Sequence, residues 1–197
     1  LHDRFWRIIF DFFNNKLFMR KRTLAVAALL LCMVQAQAQL GVMKRVGNNT
    51  QDYALGFGAF IKSAIPVSEG ADVTVELGAN LFPLKGYGMK YGTIMCPLKA
   101  GYRYTLNGTG QGFYVEPQAG FNLFGLTSLP EEYGNNINLR YHGAVLAAGA
   151  GFLFTIGRAP FDLNLRYEMV IAQGGSNNLI SLGISRTISF GKKDTDY

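Results

Sequence analysis

The sequence predicts an all-β fold, an antiparallel up-and-down transmembrane β-barrel of eight strands. Three observations carry that reading. First, the stretch from Ser181 to Phe190 alternates, with Leu182, Ile184, Ile188 and Phe190 on one face and Ser181, Gly183, Ser185, Thr187 and Ser189 on the other. A period of two belongs to a strand, because successive Cβ atoms point to opposite sides of a sheet. Second, the same pattern recurs along the chain: an apolar, aromatic-rich face backs a small, polar or charged one, as in a barrel with lipid outside and a polar interior. Third, an export signal stands near the front.

That signal begins at Met19. Arg20-Lys21-Arg22 follows, then an apolar run of 11 residues from Leu24 to Val34, then Ala36-Gln37-Ala38 with small residues at both recognition positions of a signal peptidase. The layout predicts a secretory signal peptide over 19–38, cleaved before Gln39. The run is too short to span a bilayer as a helix, which takes about 20 apolar residues. Cys32 does not suit lipid attachment, since Leu29, Leu30 and Leu31 stand where small residues are needed. Residues 1–18 precede a complete signal and read as an upstream extension from a misplaced gene start. The barrel domain is then 39–197, ending in a short periplasmic tail, Gly191 to Tyr197.

Composition narrows the function classes. The net charge of +6 falls to +2 after Gln39, where 13 basic residues face 11 acidic ones, so the charge gives no footprint for nucleic acid. Only Cys96 remains in the barrel domain, which rules out an intramolecular disulfide there. No segment after residue 38 has 18 consecutive apolar residues, so no transmembrane helix is expected.

The strands follow in order. Leu40 to Val46 supplies a short first strand, interrupted by Lys44 and Arg45, and makes the count even, as bacterial single-chain barrels require. In Tyr53 to Ile61, Tyr53, Leu55, Phe57, Ala59 and Ile61 oppose Ala54, Gly56, Gly58 and Phe60. In Asp72 to Leu81, Val73, Val75, Leu77, Ala79 and Leu81 oppose Asp72, Thr74, Glu76, Gly78 and Asn80. Ile94 to Leu106 turns Lys99, Gly101, Arg103 and Thr105 away from its apolar face. Phe113 to Leu123 does the same with Glu116, Gln118, Gly120 and Asn122. Tyr141 to Phe154 is rich in glycine and alanine, with Leu146, Ala148, Ala150, Phe152 and Phe154 on the lipid side and Gly143, Gly149 and Gly151 inside. Phe161 to Ile171 sets Phe161, Leu163, Leu165, Tyr167, Met169 and Ile171 against Asp162, Asn164, Arg166 and Glu168.

The connections alternate in character. Ser68-Glu69-Gly70, Asn107 to Gly110 and Gly157 to Pro160 have tight-turn compositions. Lys85 to Gly88, Ser128 to Asn138 and Gly174 to Asn178 read as longer loops. Short periplasmic turns and longer outer loops place both termini in the periplasm. Aromatic residues then sort to two depths. Tyr102, Tyr104, Phe113, Phe152, Phe154, Phe161 and Phe190 lie at the periplasmic rim, and Tyr53, Tyr91, Phe121 and Tyr141 at the outer one.

Eight strands leave an interior just wide enough for side chains to fill. Glu76, Lys99, Arg103, Glu116, Asp162, Arg166 and Glu168 all point into it, from several strands and with both signs. Buried charges persist when paired, so these residues are expected to form a hydrogen-bonded plug that works against a wide diffusion pore.

On these residues the chain resembles the small outer-membrane β-barrel family, the porin-like group with eight-stranded OmpA- and OmpX-like barrels. The resemblance covers nearly all of Gln39 to Phe190. Pro97 to Tyr104 followed by Gly112 to Gly120 is similar to that family's central hairpin, and Ser181 to Phe190 to its C-terminal assembly signal. The chain departs from the pattern at Arg186, on the apolar face, and in the charged tail after Phe190. The resemblance implies residence in the outer membrane, contact with its lipid, and recognition of the last strand by the barrel-assembly machinery. It implies no shared catalytic residues.

Chemistry in the barrel domain is sparse. Nucleophilic catalysis needs a nucleophile, a base and an orienting group. His142 is the one histidine after residue 38, and Ser128, Ser176 and Glu131 lie near its level, but no spacing selects a triad. Glu131-Glu132 falls short of the several converging oxygens that calcium needs. Gly56-Phe57-Gly58 and Gly149-Ala150-Gly151 lie within strands and lead into no helix, so they do not cradle a nucleotide. No catalytic, metal or cofactor site is therefore expected. The leading reading is a non-enzymatic outer-membrane barrel with a structural or surface-contact role through the Ser128–Asn138 loop, and at most limited small-solute passage. The first alternative is a soluble exported barrel holding a small apolar ligand, with Leu163, Leu165 and Tyr167 pointing inward. A lipid-modifying enzyme comes third, and only that reading makes His142→Ala inactivating.

Overall fold

The structure, a computed structural model, describes residues 36–47, 50–108, 110–133, 138–157, 159–172 and 175–187. The upstream extension, most of the leader, Ile188, Phe190 and the tail lie outside the described residues. Eight strands run β1 (Ala36–Val46), β2 (Gly56–Ser68), β3 (Ala71–Pro83), β4 (Gly92–Thr105), β5 (Gly112–Ser128), β6 (Asn138–Ile156), β7 (Ala159–Ala172) and β8 (Gly175–Thr187). A 3-10 turn, Glu131–Tyr133, lies between β5 and β6. Each strand pairs antiparallel with its neighbours in sequence, and β1 pairs with β8 from Gln37↔Thr187 to Val46↔Asn178. The sheet is closed, so no edge is left with unpaired backbone groups.

The two faces are assigned by burial. Leu163, Leu165 and Tyr167 of β7 are exposed on the outer wall, while Asp162, Asn164, Arg166 and Glu168 are buried inside. This corrects the ligand-binding alternative, which needed the apolar set inside. β3, β4, β5 and β8 repeat the arrangement, with Leu77, Leu98, Val115 and Leu182 outside. Near the ends of strands away from the long loops, Phe113, Phe152, Phe154 and Phe161 stack edge and face into one strip across β5, β6 and β7.

One barrel end carries the described segments 50–55, 84–91 and 129–133 and is called the loop end; the other is the turn end. The loops are tied to one another. The Ala54 N–H donates to the Pro83 carbonyl at 2.9 Å, the Lys85 N–H to the Asp52 carbonyl at 2.8 Å, and the Tyr87 hydroxyl to Glu132. At the turn end, Gly70 (φ +73°) lets β2 and β3 reverse tightly, a left-handed backbone that favours glycine.

Several boundaries differ from expectation. β1 starts at Ala36, inside the segment read as the leader's cleavage site. Tyr53 makes a lone bridge to Leu84, β2 begins only at Gly56, and β2 then runs through Lys62 to Ser68. Of the expected loop 174–178, residues 175–178 are instead ladder: Asn177 pairs with Val170 and Asn178 with Met169, and β8 begins at Gly175. Tyr53 and Tyr141 pack inward against the buried apolar cluster rather than facing lipid, because glycines and small residues leave inner space for their rings.

Five inner glycines share one role, since each leaves room for a large inward ring where a Cβ would stand. Phe60 covers Gly58 and Gly78, Phe82 covers Gly56, Tyr114 covers Gly151, and Tyr141 covers Gly125. A methyl group built at Gly58 would sit 2.7 Å from the Phe60 ring.

Candidate functional site

The lumen is filled in two layers. In the half toward the turn end lie the charges, placed by alternation on β2, β3, β4, β5 and β7. Glu116 is the hub of one cluster. It accepts from Lys62 Nζ at 2.5 Å, Thr74 Oγ1 at 2.6 Å and Gln118 Nε2 at 2.9 Å, and it pairs with Arg103 at 3.4 Å. Arg103 reaches on to Asp162 at 3.0 Å, whose other oxygen accepts from the Tyr114 hydroxyl at 2.6 Å. Arg103 also lies 4.4 Å from the Tyr114 ring centroid.

Glu76 is the hub of the second cluster. Arg166 grips it with two parallel hydrogen bonds of 2.6 and 2.8 Å, a bidentate geometry that only arginine offers. Lys99 stands 2.9 Å from Glu76 and 2.5 Å from Glu168. Phe60 caps this cluster from the loop side, 5.4 Å from Lys99 Nζ and 5.8 Å from the Arg166 guanidinium.

All seven lumen charges read from the sequence are thus buried, and each lies in one of the two clusters. Lys62 and Tyr114 were not foreseen. Lys62 fell outside a strand ended at Ile61, although even spacing from Phe60 would have turned it inward. Tyr114 shares the parity of Glu116 but reads as one more aromatic among Phe113 and Val115. Lys62, Lys99, Arg103 and Arg166 carry four positive charges against four negative ones on Glu76, Glu116, Asp162 and Glu168.

Toward the loop end an apolar cluster follows, with the buried Asn80 paired to Met95 in the ladder beside it. Met43, Phe60, Phe82, Met95, Val145, Val170 and Leu179 form one buried cluster, with Tyr53 and Tyr141 packed against it. Ion pairs bridge the lumen in one layer, and packed hydrocarbon fills the next.

His142 sits away from this interior, exposed on the outer wall of β6. The ladder between β5 and β6 shifts register between Asn122 and Gly125, and Leu123 and Phe124 oppose His142 as a bulge. The His142 Nδ1 lies 2.7 Å from the Leu123 carbonyl and donates to it, since a carbonyl can only accept. The histidine therefore satisfies a backbone group that the bulge leaves unpaired. Glu132 accepts from Tyr87, and among the described residues no group of three or more His, Cys, Asp or Glu side chains could hold a metal.

The shape of this barrel is shared with solved structures. The N-terminal β-barrel domain of OprF from Pseudomonas aeruginosa matches with a TM-score of 0.52 and 14% identity, over 77% of this chain and 97% of that one. Ail, the attachment invasion locus protein of Yersinia pestis, matches with a TM-score of 0.54 and 12% identity, over 78% and 97%. Neisserial surface protein A matches with a TM-score of 0.52 and 12% identity, over 78% and 96%. The fold is that of the small eight-stranded barrels. No family model and no curated protein matches the sequence.

Proposed function

We propose that the chain is a non-enzymatic barrel of the bacterial outer membrane, with a closed lumen and a role in envelope structure or surface contact. One observation carries this: an apolar outer wall surrounds an interior in which eight charged side chains are buried and paired. An apolar wall turned to water would be unfavourable by about 25 cal/mol for each Å2 of apolar surface, whereas lipid accepts it. A closed sheet also satisfies every ladder group where no water can. The name of one structural neighbour, Neisserial surface protein A, supports a place at the cell surface.

The loop end then faces the exterior, and the linked segments 84–91 and 129–133 present Tyr87, Met89, Lys90 and Glu132 to a partner outside. Export through the 19–38 signal and recognition of β8 by the barrel-assembly machinery complete the reading.

Expression from Met19, followed by cell fractionation and gel electrophoresis with and without boiling, tests it. Outer-membrane recovery with a heat-dependent mobility shift is the expected result. Recovery in the soluble periplasm sinks the proposal.

A further inference from the structure

The lumen holds a fifth inward cation, and it is unlike the other four. Lys62, Lys99, Arg103 and Arg166 each have a carboxylate within 3.0 Å. Arg45, near the loop end of β1 and half-buried, has none at ion-pair distance among the described residues. Its partners are all neutral. The Tyr53 ring lies 4.0 Å from the guanidinium carbon, Nη1 reaches Thr93 Oγ1 at 3.4 Å, and Nη2 donates to Asn177 Oδ1. Thr93 Oγ1 also contacts Thr127 Oγ1 at 2.9 Å and the Tyr53 hydroxyl at 3.4 Å.

Arg45 Nε–H is buried without a hydrogen-bond partner in the protein, and the Tyr141 hydroxyl, whose oxygen accepts from the Thr127 side chain, keeps its own O–H free to donate. Buried donors in native proteins nearly always find an acceptor. A buried charge with no counter-charge is costlier still. The apolar cluster of Met43, Phe82, Met95, Val145, Val170 and Leu179 forms a floor beneath the ring. Such a floor thins the water on one side and strengthens any charge-assisted bond made above it.

We propose that this ring is a binding site for a small soluble oxyanion, a phosphate monoester or a carboxylate. Arg45 is its anchor, through the fork that includes the free Nε–H, and Tyr141 is a second donor. Guanidinium geometry matches both anions bidentately. Arg45 points into the lumen, away from the apolar wall, so the anion arrives from the water at the loop end rather than from a lipid in the membrane. The site belongs to the barrel itself and stands whether or not the wall is in lipid.

The test uses the full barrel in neutral detergent micelles at constant ionic strength, titrated calorimetrically with inorganic phosphate and separately with acetate. Saturable binding of at least one anion at a single site is expected. Arg45→Gln should weaken it about tenfold or more, the loss of a charged hydrogen bond, with Arg45→Lys retaining part of the affinity. Tyr141→Phe should weaken it several-fold, about one hydrogen bond's worth. Each variant is first shown to keep the heat-dependent mobility shift, and if Arg45→Gln fails to fold, Arg45→Lys and Tyr141→Phe decide. Absence of saturable binding, or affinities unchanged in the folded variants, overturns the proposal. Micelles doped with phosphatidylglycerol are expected not to compete with phosphate. Competition there would overturn the soluble source and assign the site to a lipid headgroup.

Discussion

Glu116 shows what a single residue does in this lumen. It takes hydrogen bonds or ion pairs from Lys62, Thr74, Arg103 and Gln118, so its removal strands Lys62 in a buried layer and leaves Arg103 with Asp162 alone. Glu116→Ala is expected to destabilise the barrel by about 3–5 kcal/mol, the range for breaking a buried pair, read from urea unfolding followed by loss of the mobility shift. Lys62→Met in the same chain should recover part of that loss, and a double-mutant cycle measures the coupling. His142 works at smaller scale. His142→Ala removes one hydrogen bond to the bulge carbonyl, and a loss of about 1 kcal/mol is expected in the same assay. The inward face of Glu76, Lys99, Arg103, Glu116, Asp162, Arg166 and Glu168 was legible, because parity along a strand fixes it. Which charge meets which was not: Glu76 and Arg166 lie 90 positions apart and meet across the lumen, which no local pattern encodes. Arg45 read as an interruption of β1, yet its parity with Met43 puts it inside.

At the level of elements, the inner wall is built from rings over glycines. Gly58→Val should push the Phe60 ring off its seat and cost about 1–3 kcal/mol, the range for overpacking. Adding Phe60→Leu should return most of it, and unfolding midpoints of the two variants check both. Strand interiors such as β3, β4 and β7 were readable because their apolar and polar sets separate cleanly. Strand ends were not. β2 runs past Lys62 and Pro66, and β8 begins in Gly175-Ser176-Asn177-Asn178, a composition that reads as loop. In both places pairing with an already regular neighbour outweighs local preference, as β propensity generally yields to context. The bulge at Leu123 and Phe124 was also hidden, since both residues are apolar and leave no break in hydrophobicity.

For the whole molecule, the two filled layers predict electrical silence. Reconstituted in a planar bilayer, the barrel should give no sustained open state, and Glu76→Gln alone should not open one, because Phe82 and Met95 still block the path beyond the ion pairs. Steady stepwise conductance from the unmodified protein would contradict that closed state. The closed ring has a further consequence, in time rather than in space. β1 finds one of its two partners in β8, the eighth strand of the ring, so its ladder from Gln39 to Val46 stays half complete until β8 has been made. Contacts of such long sequence separation are slow to form, because the loop-closure entropy must be lost before the contacts repay it. Until then the first strand is an open edge able to pair with any other chain. Assembly of this protein is therefore a race between closing on itself and sticking to a neighbour, and whatever holds the first strand during that interval decides the yield.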